Sequence, residues 1–190
     1  IFFAMVPAWL WGTTYAVTQY ATPDWPPLLL GALRALPAGL LLLLLKPSLP
    51  TRSQWPSLLT LGAVNIALFF AFIFIMAVNL PAAVAGVGMV SVPVVALIYA
   101  WLTKGQRPAK IQAFCAMALV VLAWLLFDPA HVSLNVLGVA ALFGALLTIV
   151  IGSTLVQSLS VHIHWWVVLT WQLIIGVTVL LLAFPLYNFY

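Results

Sequence analysis

The chain runs in seven long apolar blocks, 1–20, 28–45, 55–76, 81–103, 110–127, 134–157 and 165–186, parted by short polar breaks. About 20 mostly apolar residues in a helix cover the hydrocarbon core of a bilayer. Each block therefore predicts one transmembrane helix, numbered spans 1 to 7 in chain order. The breaks carry turn chemistry: "TPDWPP" at 22–27, "KPSLPTRSQWP" at 46–56, "NLP" at 79–81, "KGQRP" at 104–108 and "DPAHVSLN" at 128–135. Proline and glycine are the strongest local punctuators of such a pattern. The last link, "SLSVHIH" at 158–164, is less marked. Connections this short predict antiparallel neighbours.

Composition fixes the environment. Of 190 residues, 66% are hydrophobic and 4% charged, and the mean hydropathy is +1.26. A soluble domain carries roughly 25% charged residues, so this chain could not wet its own surface and reads as an integral membrane protein. The net charge of +4 on so apolar a chain argues against nucleic-acid binding. Cys115 is the single cysteine, which leaves no internal disulfide framework. No signal-peptide pattern of short apolar core and cleavage site is present. The chain starts at Ile1 and stops at Tyr190 straight after an apolar run, and both ends are expected to be cut.

The few charges predict orientation. Lys46 and Arg52 lie in the second break, and Lys104, Arg107 and Lys110 lie in or beside the fourth. The acids, Asp24 and Asp128, lie in the first and fifth breaks, which hold no Lys or Arg. The positive-inside bias then predicts a cytoplasmic N-terminus and a span 7 that ends outside. The sixth basic residue, Arg34, lies inside span 2.

The start of the chain partly recurs near its end. Shifted by 140 residues, "WGTTYAVTQYATPDW" (11–25) lies on "IGSTLVQSLSVHIHW" (151–165), so Gly12 meets Gly152, Thr14 meets Thr154 and Trp25 meets Trp165. Span 1 runs outward and span 6 inward, which makes the two copies opposite in orientation. Inverted repeats of this kind are a transporter architecture, with substrate near the midplane between the halves. The expected domains are a first five-helix unit over 1–127 and the opening two helices of a second unit over 134–190. The fold expected is all-α: a polytopic membrane helix bundle of inverted five-helix repeats, with seven spans of ten in this segment and three more beyond Tyr190.

Four stretches in order, "AWLWGTTYAVTQ" in span 1, "LLLGALRALPAGLLLLL" in span 2, "LGAVNIALFFAFIFIMAVNLPAAVAGVGMVSVPVVALI" in spans 3 and 4, and "TWQLIIGVTVLL" in span 7, together resemble the EamA family. That family belongs to the drug/metabolite transporter superfamily, and the likeness is to its PecM-like branch. The resemblance covers essentially the whole chain and implies a ten-helix carrier that exports small metabolites across the bacterial cytoplasmic membrane. Two departures stand out. Gln19 occupies a place late in span 1 where many members are basic, and Gln106 stands where many close span 4 with a glutamate. Any role for those charges is not carried over.

Several residues are candidates for substrate contact, each beside a plainer reading. Trp11, Thr14, Tyr15 and Thr18 share one face of span 1 by the i, i+3, i+4, i+7 rule. They could line a polar path, or the hydroxyls could return to their own backbone. Asn65, near the middle of span 3 with Gly62, Phe69 and Phe72 on its face, needs partners within protein or water. It serves either substrate or an interhelical hydrogen bond. Pro93 in span 4 cannot donate to the carbonyl of Met89, which predicts a kink that either exposes carbonyls to substrate or is passive. Gly144, Thr148 and Gly152 at four-residue spacing read as a packing seam in span 6. Trp171 and Gln172 in span 7 could engage a planar metabolite or simply pack. Arg34 falls in a stripe with Gly31, Ala35 and Ala38 and is expected to point into protein, fixing the outer gate or meeting an anionic group. His162 and His164 have no Cys or carboxylate nearby and read as a solvated turn, not a metal site.

No nucleophile–base pair, metal-binding helix motif or phosphate-cradling glycine loop occurs. The expectation is a carrier, not an enzyme, without cofactor or metal. It exports small organic metabolites or drugs by alternating access, with a small-molecule substrate and the lipid bilayer as partners and no nucleic acid. The rival is a passive channel or a non-transporting membrane subunit. Substrate identity, coupling and oligomeric state stay open.

Overall fold

The computed structural model describes residues 2–22, 24–127 and 134–188. The described residues form helices and short connections, without strands. Helices α1 (Phe2–Ala21) and α2 (Pro27–Leu45) are spans 1 and 2. Span 3 is a 3-10 turn (Arg52–Gln54), α3 (Trp55–Leu61), a π-helical stretch (Gly62–Leu68) and α4 (Phe69–Asn79) in succession. Span 4 is α5 (Ala82–Val90) and α6 (Val92–Lys104), and spans 5 to 7 are α7 (Lys110–Phe127), α8 (Val136–Leu159) and α9 (Trp165–Asn188). Five rods, Pro27–Leu45, Arg52–Asn79, Ala82–Lys104, Val136–Leu159 and Trp165–Pro185, are long and apolar enough to cross a membrane, and Lys110–Ala123 is a shorter apolar helix.

The helix ends follow from the residues in the breaks. Pro27 opens α2 at its first position, where the missing N–H costs nothing. Thr51 and Gln54 form a capping box, with the Thr51 N–H donating to Gln54 Oε1 at 2.9 Å. Gly105 closes α6 in the left-handed region, φ 65°, which glycine adopts without penalty. Asn135 Oδ1 accepts from the Leu137 N–H at 2.8 Å at the start of α8. His164 caps α9, its Nδ1 accepting from the Trp166 N–H at 3.2 Å. The break in span 4 falls at Ser91, where the Ser91 N–H turns to the Gly88 carbonyl at 3.1 Å and Pro93 then enters the first turn of α6. The interruption is thus two residues before the proline that causes it.

The chain divides into two compact units, residues 1–24 with 75–146 and residues 25–74 with 147–190. In the first, α1 packs on α5, and the Ala82 N–H donates to Gln19 Oε1 at 3.2 Å. Gly88 lies against Leu142 of α8, and Gly138 against Leu80. In the second unit α2 and α9 run antiparallel: a methyl on Gly31 would meet Leu180 Cδ1 at 3.3 Å, and one on Gly39 would meet Ile174 Cδ1 at 3.1 Å. The π stretch crosses α9 at two glycines. A Cβ on Gly62 would lie 3.1 Å from the Gln172 carbonyl, and one on Gly176 would lie 3.1 Å from the Gly62 carbonyl. Only residues without side chains allow backbones this close. Below that crossing Leu58, Leu61, Ile163, Val168 and Ile175 form a buried apolar cluster, edged by Trp55 and Trp171.

Candidate functional site

The glycine crossing brings two amides together. Asn65 sits in the π stretch, and its Nδ2 donates to Gln172 Oε1 on α9 at 2.8 Å. Gln172 is buried and Asn65 half-buried. π-helical turns inside α-helices recur at functional sites; this one falls on the turn that carries the amide. Gly152 of α8 lies directly beneath: a Cβ there would stand 2.8 Å from Asn65 Cγ. The pair does not exhaust its capacity. Asn65 keeps an N–H and its oxygen, and Gln172 keeps two N–H groups and a lone pair. The arrangement offers uncharged donors and acceptors beside aromatic surface, chemistry that suits neutral or amphipathic solutes.

Trp171, adjacent to Gln172, faces the connection between α2 and span 3. Its Nε1 donates to the Ser48 carbonyl at 2.8 Å, and its ring meets Trp55 edge-on at 4.9 Å and 70°. Trp166 makes a similar bond to the Lys46 carbonyl at 3.2 Å. Two indoles of α9 therefore hold the connection that follows α2. Phe69 is buried beside Phe70, with ring centroids 5.7 Å apart.

Thr14, Tyr15 and Thr18 are all buried on one face of α1, and Trp11 is half-buried. Met89 is half-buried and Pro93 exposed. Of Gly144, Thr148 and Gly152, the last two are buried and Gly144 is half-buried. His162 and His164 are exposed, and His164 stacks on Trp165 at 5.8 Å and 25°. The buried stripe of α2 is Gly31, Ala32, Ala35 and Gly39, while Arg34 and Ala38 are exposed. Gly31 and Gly39 fit against α9 and mark the face of span 2 that meets it. Asp128, in the fifth break, lies outside the described residues. Sequence reasoning missed the Trp55–Trp171 contact, the Ser48 carbonyl and Thr170. The Thr170 hydroxyl is fully buried with no hydrogen-bond partner among the described residues.

Long apolar helices, glycine-mediated crossings and a part-buried amide pair between two of them define a multi-pass helical membrane protein. The sequence profile of the EamA-like transporter family matches residues 1–127. The chain belongs to that family, within the drug/metabolite transporter superfamily. It is 36% identical over 154 residues to Protein PecM of Dickeya dadantii (strain 3937), covering 81% of this chain and 51% of PecM. It is 31% identical over 149 residues to the uncharacterized transporter YwfM of Bacillus subtilis (strain 168), covering 75% and 50% of the two chains. With the uncharacterized transporter YvbV of the same organism it shares 27% identity over 186 residues, 92% and 59% of the two chains. The chain spans about half the length of these relatives. No solved structure is significantly similar to it.

Proposed function

We propose that the whole protein is a ten-helix carrier of the bacterial cytoplasmic membrane that exports small organic metabolites or drugs by alternating access. Its N-terminus lies in the cytoplasm. Uncharged amphipathic or aromatic compounds are its substrate class, and the Asn65–Gln172 pair is the polar element that they compete for. On this reading the present segment holds the first five-helix repeat and the opening of an inverted second one.

The observation that supports it best is the meeting of α2 and α9. Gly31 faces Leu180 and Gly39 faces Ile174, so α2 and α9 pack antiparallel. Spans 2 and 7 are the second helices of the two expected repeats, and copies inverted with respect to one another run in opposite directions.

Resistance and efflux screening of the complete natural gene in a host stripped of its own exporters tests the proposal. The expected result is lowered accumulation of at least one amphipathic or aromatic compound, restored by Gln172→Leu at matched membrane levels. Unchanged accumulation across a broad panel would contradict it.

A further inference from the structure

A groove of about 430 Å³ opens between α6 and α7, in the first compact unit. Pro93, Val94, Ala96 and Leu97 form one wall, and Gln112, Cys115, Ala116 and Leu119 the other. Apart from Gln112 and the Cys115 thiol the lining is apolar. The stretch from Gln112 to Leu119 covers about 10 Å of helix, an apolar slot open to part of a hydrocarbon chain.

One end of the groove meets the strongest positive charge in the unit. Gln112, in its wall, also folds back to accept from the Ala109 N–H at 2.9 Å, within one turn of the loop that joins α6 to α7. Lys104, Arg107 and Lys110 all lie in or beside that loop, and all are exposed. The turn is compact, with the Gly105 N–H bonded to the Trp101 carbonyl at 3.0 Å. Exposed Trp101 and Phe114 flank it with aromatic surface, of the kind that sits at headgroup depth. The sequence has two carboxylate side chains, Asp24 and Asp128. Asp24 follows α1, whose end bonds the start of α5 through Gln19 and Ala82; the basic loop lies at the other end of the α5–α6 rod. Asp128 comes 18 residues after Lys110. Three exposed cations in or beside the loop next to the Gln112 end of an apolar slot complement an anionic headgroup carried on an acyl chain.

We propose that the α6–α7 groove seats an acyl chain of an anionic phospholipid whose phosphate is held by Lys104, Arg107 and Lys110. Both elements are needed: the slot alone would take any chain, and the cations alone would take any anion. The lipid tethers the α6–α7 hairpin at the membrane surface.

Native mass spectrometry of the complete natural protein, given phosphatidylglycerol or phosphatidylcholine with identical chains, tests this. Phosphatidylglycerol should be retained preferentially. Replacing Lys104, Arg107 and Lys110 with Gln should lower that retention by about fivefold for each cation removed, leaving phosphatidylcholine unaffected. Ala116→Trp, which fills the slot, should lower retention of both lipids; Ala96→Trp on the opposite wall makes the same test if the first variant fails to fold. Inorganic phosphate at matched ionic strength should not displace the lipid. Equal retention of the two lipids, retention indifferent to the charge variant, or retention indifferent to a filled slot each overturns the proposal. The last would follow if another segment of the whole protein occupies the groove.

Discussion

Asn65 and Gln172, 107 positions apart in sequence, share a 2.8 Å hydrogen bond at the point where a π-helical stretch crosses α9. The bond joins span 3 of the chain to span 7 at a place where Gly62 and Gly176 let the two backbones touch. Buried amides are stable in hydrocarbon only with such partners. On the proposed function, a solute with a carbonyl or amine would compete for either half of this bond.

The strength of that bond is open to measurement. A double-mutant cycle with Asn65→Leu and Gln172→Leu, followed by reversible unfolding in mixed micelles, should give a coupling of about 0.6–1.7 kcal/mol. A value within error of zero would mean that the two amides sit together without stabilising the crossing.

Gly152 predicts a steric effect. Its missing side chain makes room for Asn65, so Gly152→Ala should destabilise the protein by about 1–3 kcal/mol through overpacking. Gly12 aligns with Gly152 in the sequence repeat, but a Cβ there meets nothing within 4 Å. Gly12→Ala should therefore change stability by less than about 0.5 kcal/mol. Thermal unfolding of the two variants side by side decides it, and equal shifts would refute the packing argument.

Seven helical rods were legible because length and apolarity alone decide whether a segment can span a bilayer. Proline and glycine marked their ends, and Pro93 foretold the break at Ser91 to within two residues. The rotation of α2 was not legible. Arg34 drew the eye inward, while Gly31 and Gly39 mark the face that meets α9. Nothing in "GAVNIAL" distinguishes a π stretch from an α-helix, and the pairing of Asn65 with Gln172 depends on a crossing that no local pattern encodes. Asn65 was recognisable as needing a partner; which partner was a matter of tertiary packing.

Thr170 predicts a gain. A fully buried hydroxyl without a partner carries a desolvation cost, and Val has nearly the same shape. Thr170→Val should leave stability unchanged or raise it by about 1 kcal/mol, read as the midpoint of thermal unfolding. A clear loss would mean that the hydroxyl has a partner in the whole protein.

Topology can be read by chemistry at two exposed positions, Asp24 and Ser53. In a Cys115→Ala background, a membrane-impermeant maleimide applied to intact cells should label Asp24→Cys and spare Ser53→Cys. The reverse pattern would invert the orientation derived from Lys46, Arg52, Lys104, Arg107 and Lys110.

The central claim is that the complete protein is a carrier whose substrate engages the Asn65–Gln172 pair, and counterflow tests it most directly. Proteoliposomes holding the complete protein are preloaded with an exported compound, and entry of the labelled compound is followed. A carrier working by alternating access should take up label several-fold faster into loaded than into empty vesicles, and Gln172→Leu should remove most of that difference. Equal entry into loaded and empty vesicles, or exchange untouched by Gln172→Leu, would contradict the account.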